Sequence, residues 1–190
     1  MAIRTVNTNN IHIGAGFVYF GVTVPVTPPV PLTPEGTPSD GTGTFVGGTL
    51  EGANLIYRPT TVDVRTQQSG VLAVSVTNVE DMHIEFTIGE LTFANLKQLI
   101  LGGGTSPIPP NVSLGGQIVP LTASVLLVAP RRNGAFIEVM IYQAYFPMDR
   151  TIMFARERES MMKVTARGLG QFTRARGDQL GFINTNVVGT

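Results

Sequence analysis

Runs of aromatic and β-branched residues recur along this chain, and in one of them apolar and polar positions alternate strictly. In His83-Ile84-Glu85-Phe86-Thr87-Ile88 the apolar side chains fall on one face and the polar ones on the other, the pattern of a half-buried strand. Aromatic and β-branched residues mark further strands at Phe17 to Val24, Leu55 to Tyr57, Thr61 to Arg65 and Val71 to Val76. The same composition recurs at Thr122 to Val128, Phe136 to Phe146, Thr151 to Ala155 and Met161 to Thr165. A helical period stands out at one place, where Phe93, Leu96, Leu99 and Ile100 form one apolar stripe. Thr92 is a plausible N-cap there and Gly102 a stop, so a helix over about 91–101 is predicted, covering one opening or face of a sheet. The expected fold is mainly β, a sandwich or barrel with one flanking α-helix.

The stretches between these elements are unusually long. Residues 1–15 are polar and rich in Asn and Thr, which predicts an N-terminal arm. From Pro25 the chain carries Pro28, Pro29, Pro31, Pro34 and Pro38 before a Gly/Thr/Ser/Asp run, so neither helix nor central strand can pass through. A structureless connection longer than ~12–15 residues is uncommon in a compact domain unless it is functional or disordered, so 25–47 is expected to project as a loop or arm. Gly102 to Pro110 opens a second long loop, and the tail 168–190 reads as irregular. No internal repeat recurs at a fixed period.

Length fits a single domain over 1–190, and surface scaling at 20.3 kDa lets about 70% of the unfolded chain's surface be buried. Charged residues make up only 14% of the chain, against ~25% for an average soluble domain. A surface kept wet by so little charge points to coverage by partners, a first hint of an oligomer. Residues 1–95 hold eight acids against three bases, and 96–190 hold ten bases against five acids. Such halves fit chance and ordinary solvated faces, or an acidic surface of one copy meeting a basic surface of the next. Only Lys97 and Lys163 among the thirteen bases are lysine, the residue that blunts exposed strand edges.

Candidate chemistry is sparse. There are no cysteines, which removes disulfides and thiolate metal sites. The two histidines, His12 and His83, lie in the polar arm and on the polar side of a strand, and no Gly-x-Ser-x-Gly elbow occurs. Glu80-Asp81-x-His83 is better read as a solvated turn than as a metal site. Gly102-Gly103-Gly104 follows a predicted helix instead of preceding one, so it meets the negative end and cannot cradle a phosphate. Neither enzyme, cofactor nor metal is expected. No apolar run approaches the ~20 residues of a membrane span and the N-terminus has no signal core, so the chain is expected to be made in the cytoplasm without membrane contact.

Two charged clusters suit contacts between subunits. Arg131-Arg132 precede Asn133-Gly134, a tight hairpin tip for which a type I′ turn is predicted. Arg156-Glu157-Arg158-Glu159 would put both arginines on one face of a strand and both glutamates on the other, an edge able to pair with two neighbours or an ordinary surface ladder.

The central block resembles the tail tube (major tail) proteins of long-tailed, siphovirus-like bacteriophages. The likeness is carried by Gly48-Thr49-Leu50-Glu51-Gly52, by Tyr57-Arg58-Pro59-Thr60 with Val62 and Val64, by Gln67-Gln68-Ser69-Gly70, and by Glu90-Leu91-Thr92-Phe93-Ala94-Asn95-Leu96. It covers about a third of the chain and weakens toward the C-terminus. It implies a virion protein, assembled in the host cytoplasm, whose six copies close into rings that stack into a tube delivering DNA. The implied partners are copies of itself, the tape measure, distal tail and terminator proteins, and DNA in transit. Arginines lining such a bore would hold the duplex through its phosphates, whereas acids would let it slide. Asp63, Glu80, Asp81 and Glu85 are therefore the candidates to face the lumen. Another tail component on the same fold, such as a hub, terminator or secretion-tube-like ring, remains open, as does a small β-barrel binding module.

Overall fold

Strands β4 (Thr122–Pro130) and β5 (Ala135–Tyr145) are apolar on both faces, which requires cover on both sides, and the architecture supplies two layers of it. The computed structural model describes residues 16–65, 72–89, 92, 95, 122–147, 151–153 and 161–188. These carry eight strands: β1 (Phe17–Phe20), β2 (Thr44–Arg65), β3 (Leu72–Ile88), β4, β5, β6 (Thr151–Met153), β7 (Met161–Gly168) and β8 (Gly181–Val188). They pair antiparallel in the order β6-β7-β3-β2-β1-β4-β5-β8. A further pairing of β7 with β5 closes β7, β3, β2, β1, β4 and β5 into a six-stranded barrel. The seam is short, Ala144 opposite Gly168 and Tyr145 opposite Arg167.

The barrel is filled by the inward positions of alternating strands. Met82, Ile84, Phe86 and Ile88 of β3 meet Met162, Val164 and Ala166 of β7, with Val18, Phe20, Val125, Leu127 and Ile141 from the opposite wall. Phe20 sits among aromatic rings, 4.9 Å from Phe146 and 6.4 Å from Phe86 between centroids. A second layer lies outside the barrel, where Tyr19, Leu126, Val128, Met140 and Tyr142 face outward and are covered by Val22, Val30 and Leu32.

That cover is the proline-rich stretch expected to project. Residues 22–43, here called the excursion, instead return against the outer wall, with Val30 and Leu32 each 1% exposed. Of the apolar residues set among its six prolines, Val30 and Leu32 are buried, and burying each against β4 and β5 is worth about 1.5–3 kcal/mol. The excursion is fastened at its root by Ser124, whose hydroxyl donates to the Val22 carbonyl at 2.5 Å. Its tip is a small bridge between Leu32 and Pro38, tied by the Thr33 and Thr37 hydroxyls 2.7 Å apart. Gly36 turns there with φ +82° and presses on Phe136, leaving no room for a Cβ.

The mainly β expectation is met in its barrel form. Of the helix expected over 91–101, only Thr92 and Asn95 lie among the described residues. Asn95 has helical conformation, and its N–H donates to Thr92 Oγ1 at 3.2 Å, the bond of an N-cap. The N-terminal arm lies outside the described residues. The tail from 168, expected to be irregular, contains β8, which adds to the free edge of β5. Its Asn/Thr/Gly content hides a strand in which Phe182 packs on Tyr142 and Val187 enters the outer layer.

Candidate interaction surfaces

Strands β2 and β3 outrun the barrel. β1 pairs with β2 only over Thr44 to Gly48, and β7 with β3 only over His83 to Ile88. From Arg58 opposite Asp81 to Arg65 opposite Leu72 the two strands have, among the described strands, only each other. At ~3.3 Å per residue this ribbon is roughly 25 Å long. A two-stranded ribbon is marginally stable alone in water, and both outer edges carry rows of N–H and C=O groups for pairing. Pro59 lies within β2, where a central strand would exclude it and an open edge admits it. Shifts in register at Thr60/Thr61 and Val64/Arg65 add twist. Tyr57, Arg58, Pro59, Thr60, Thr61 and Glu80 at its base are exposed.

The acids expected in a bore do not share one surface. Asp81, His83 and Glu85 alternate with the core residues of β3 and stand on the outer face, whereas Glu80 has the opposite parity, one step beyond Met82. Asp63 is placed by register opposite Ser75 in the ribbon. Asp81 and Glu85 are balanced within the chain, by Arg167 at 3.6 Å and Lys163 at 3.8 Å. Pairs this exposed are worth ~0–1 kcal/mol each, so they set the charge of the face more than its stability. His83 is buried beside them, its Nδ1 3.4 Å from Asp81 without hydrogen-bond alignment.

Arg131 and Arg132 occupy the β4–β5 tip as expected, but the turn differs from type I′. Gly134 donates to the Arg131 carbonyl at 3.2 Å and has φ +77°, while no described non-glycine residue has positive φ. This is a type I turn closed by a glycine bulge, and Asn133 instead accepts the Ala135 N–H on Oδ1 at 3.1 Å. Arg132 is exposed and Arg131 half-buried. Arg156, Glu157, Arg158 and Glu159 lie outside the described residues.

Two polar groups that sequence reasoning passed over are built into the outer layer. Glu138 stands on the outward face of β5 between Phe136 and Met140 and is 0% exposed. Its Oε2 accepts the Val30 N–H at 3.2 Å, and its Oε1 has no partner. Burial pushes this carboxyl up to about 7, against the opposing pull of the Val30 N–H. The signal available was its position, a charged residue sharing one face of the strand with Phe136, Met140 and Tyr142. The second group is Arg174 in the loop after β7, which donates to both Asp178 and the Pro25 carbonyl, at 2.7 and 3.1 Å. It thereby ties that loop to the excursion, and exposed Val26 and Phe172 flank the junction.

Among the described residues no group of three or more His, Cys, Asp and Glu is placed to hold a metal, and no helix is long and apolar enough to cross a membrane. No protein-family model matches the chain, and no curated protein sequence matches it.

Proposed function

We propose that this chain is a structural subunit that assembles into stacked rings, the tube of a long-tailed phage through which DNA is delivered. The observation that carries this reading is the ribbon of β2 and β3, continuing past the barrel with neither outer edge paired to another described strand. Lysine, the commonest residue to blunt such edges, is absent from ribbon residues 58–65 and 72–81, where Pro59 and two shifts of register are the blunting devices present. Barrel walls supply the rigid body of a ring subunit, and head-to-tail contacts that close by rotation make rings while other contacts stack them. The family likeness adds ring closure by six copies, the tape measure, distal tail and terminator proteins as partners, and the virion tail as location. The reading keeps some of Asp63, Glu80, Asp81 and Glu85 for the bore, and of these Asp81 and Glu85 stand on one face, each beside a base of β7, while Glu80 has the opposite parity.

Negative-stain microscopy of the purified full chain tests the proposal. Long tubes support it. Single rings would favour a hub or terminator instead, and monomers a binding module. Shortening the ribbon, by joining Arg58 to Asp81 through an Asn-Gly turn, should leave the barrel folded and abolish tubes.

A further inference from the structure

Glu138 joins two parts of the chain that are 108 residues apart, through the bond from Val30 N–H to its carboxylate. The contact is buried in the apolar layer between the barrel and the excursion, formed by Val30, Leu32, Val128, Phe136 and Met140. One oxygen has a partner and the other has none. A neutral carboxyl tolerates that arrangement, because one oxygen accepts while the hydroxyl loses a single bond. A carboxylate does not, since it would bring a full charge into an apolar layer with one donor to meet it.

Among the described residues, the elements around Glu138 offer it no counter-charge; Arg174 and Asp178 of the loop after β7, which meets the excursion at Pro25, are engaged with each other and with Tyr142. Its register neighbours are Val128 on β4 and Asn184 on β8, and neither of those strands carries an ionisable side chain. On β5 the other ionisable groups are Tyr142 and Tyr145, on β1 Tyr19, and on the excursion Glu35 and Asp40, of which the last two are exposed.

We propose that Glu138 is a proton-operated latch, whose protonated carboxyl holds the excursion against the outer wall of the barrel and whose ionisation loosens it. Opening would hydrate the carboxylate and uncover Leu126, Val128 and Met140. The direction follows from linkage: a carboxyl raised on closing makes closure strongest below its free value near 4.5, and that advantage is gone once pH passes about 7. Across that window closure takes up one proton, so the opening constant should rise by up to about tenfold per pH unit and level off above it. The excursion would then be fastened in acid and loose near neutrality, a change in surface without a change in the barrel.

The chain lacks cysteine, so single reporters can be placed. Leu32→Cys puts a thiol under the excursion, at a position 1% exposed, and Val26→Cys provides a reference 93% exposed. The ratio of their reaction rates with 4,4′-dithiodipyridine cancels the thiol's own ionisation and reports opening between pH 4.5 and 8.5. The ratio is expected to climb about fortyfold from pH 5 to 7 and to flatten above about pH 8, and to stay level in Glu138→Gln. A flat ratio in the native background, or an equal climb in Glu138→Gln, overturns the latch. So does loss of the far-UV sheet signal over the same range, since that would be unfolding of the barrel. Should Glu138→Gln fail to fold, carbon-13 titration of the Glu138 carboxyl in the unaltered chain decides: a midpoint near 7 supports the latch and one near 4.5 removes it.

Discussion

The guanidinium of Arg174 stacks on the ring of Tyr142, its central carbon 4.1 Å from the ring centroid, while the Tyr142 hydroxyl donates to Asp178. Asp178 in turn accepts two bonds from Arg174, at Nε and Nη2. One planar cation therefore serves as a lid on an aromatic ring, a fork for a carboxylate, and a donor to the Pro25 carbonyl. Lysine has neither the plane nor the fork. Arg174→Lys should lower stability by about 1–3 kcal/mol, measured by urea unfolding, and free the start of the excursion to proteolysis.

The same cluster makes a pH-dependent prediction. The bond from Tyr142 holds the Asp178 carboxyl below its usual range, with Arg174 helping and partial burial opposing. A lowered carboxyl gives stability that is present above its unfolded value near 3.8 and lost as pH falls through the folded one. Tyr142→Phe should thus cost about 1 kcal/mol at pH 7, discounted for the exposure of Asp178, and clearly less at pH 3. Equal losses at both values would show that only packing was removed. At the alkaline end, burial first and Asp178 second push the Tyr142 phenol up to about 12. Its neutral form therefore contributes stability that is complete below 10 and lost as pH rises through about 12.

Phe20 is the aromatic centre of the barrel, 2% exposed, with Phe86 and Phe146 around it. Phe20→Ala should cost about 3–5 kcal/mol, because the closed wall cannot collapse onto the cavity. Calorimetry of the melt checks this.

Gly36 presses on Phe136 with positive φ, so a methyl group there meets both a backbone and a steric penalty. Gly36→Ala should cost about 1–3 kcal/mol in a thermal melt. If the latch governs the excursion, the thiol at position 32 should also react faster in this background at acid pH.

Thr61 is exposed on the ribbon and touches no core. Thr61→Lys should leave the urea midpoint within about 0.5 kcal/mol of the parent while shortening or abolishing tubes, because lysine on an open edge opposes pairing. Tubes of unchanged length in the electron microscope would show that this edge is not an assembly contact.

Local pattern made several elements legible. β4, β5, β7 and the barrel half of β3 lie close to where alternation and β-branched residues put them, because each is a strand whose two faces differ or are wholly apolar. β2 was harder: Leu55–Tyr57 and Thr61–Arg65 read as two strands, yet one strand runs through Pro59, where no other described strand pairs with its outer edge and so none waits for the missing N–H. The type I′ reading of Asn133-Gly134 failed by one residue, as Gly134 alone takes positive φ. Nothing in the local sequence of the excursion reveals which wall it covers.

Composition and periodicity by themselves determined that this protein is mainly β, carries little charge and places its apolar residues for sheets. Those are properties of each residue and its near neighbours, and they survive without knowledge of the fold. Only the tertiary structure decided that the sheet closes through Ala144 and Gly168, that β2 and β3 extend beyond it, and that Val30 meets Glu138. Each of these depends on which distant segments share a wall, and the buried carboxyl shows the consequence. An acid whose charge favours water is held in an apolar layer because a loop from 108 residues away is folded over it.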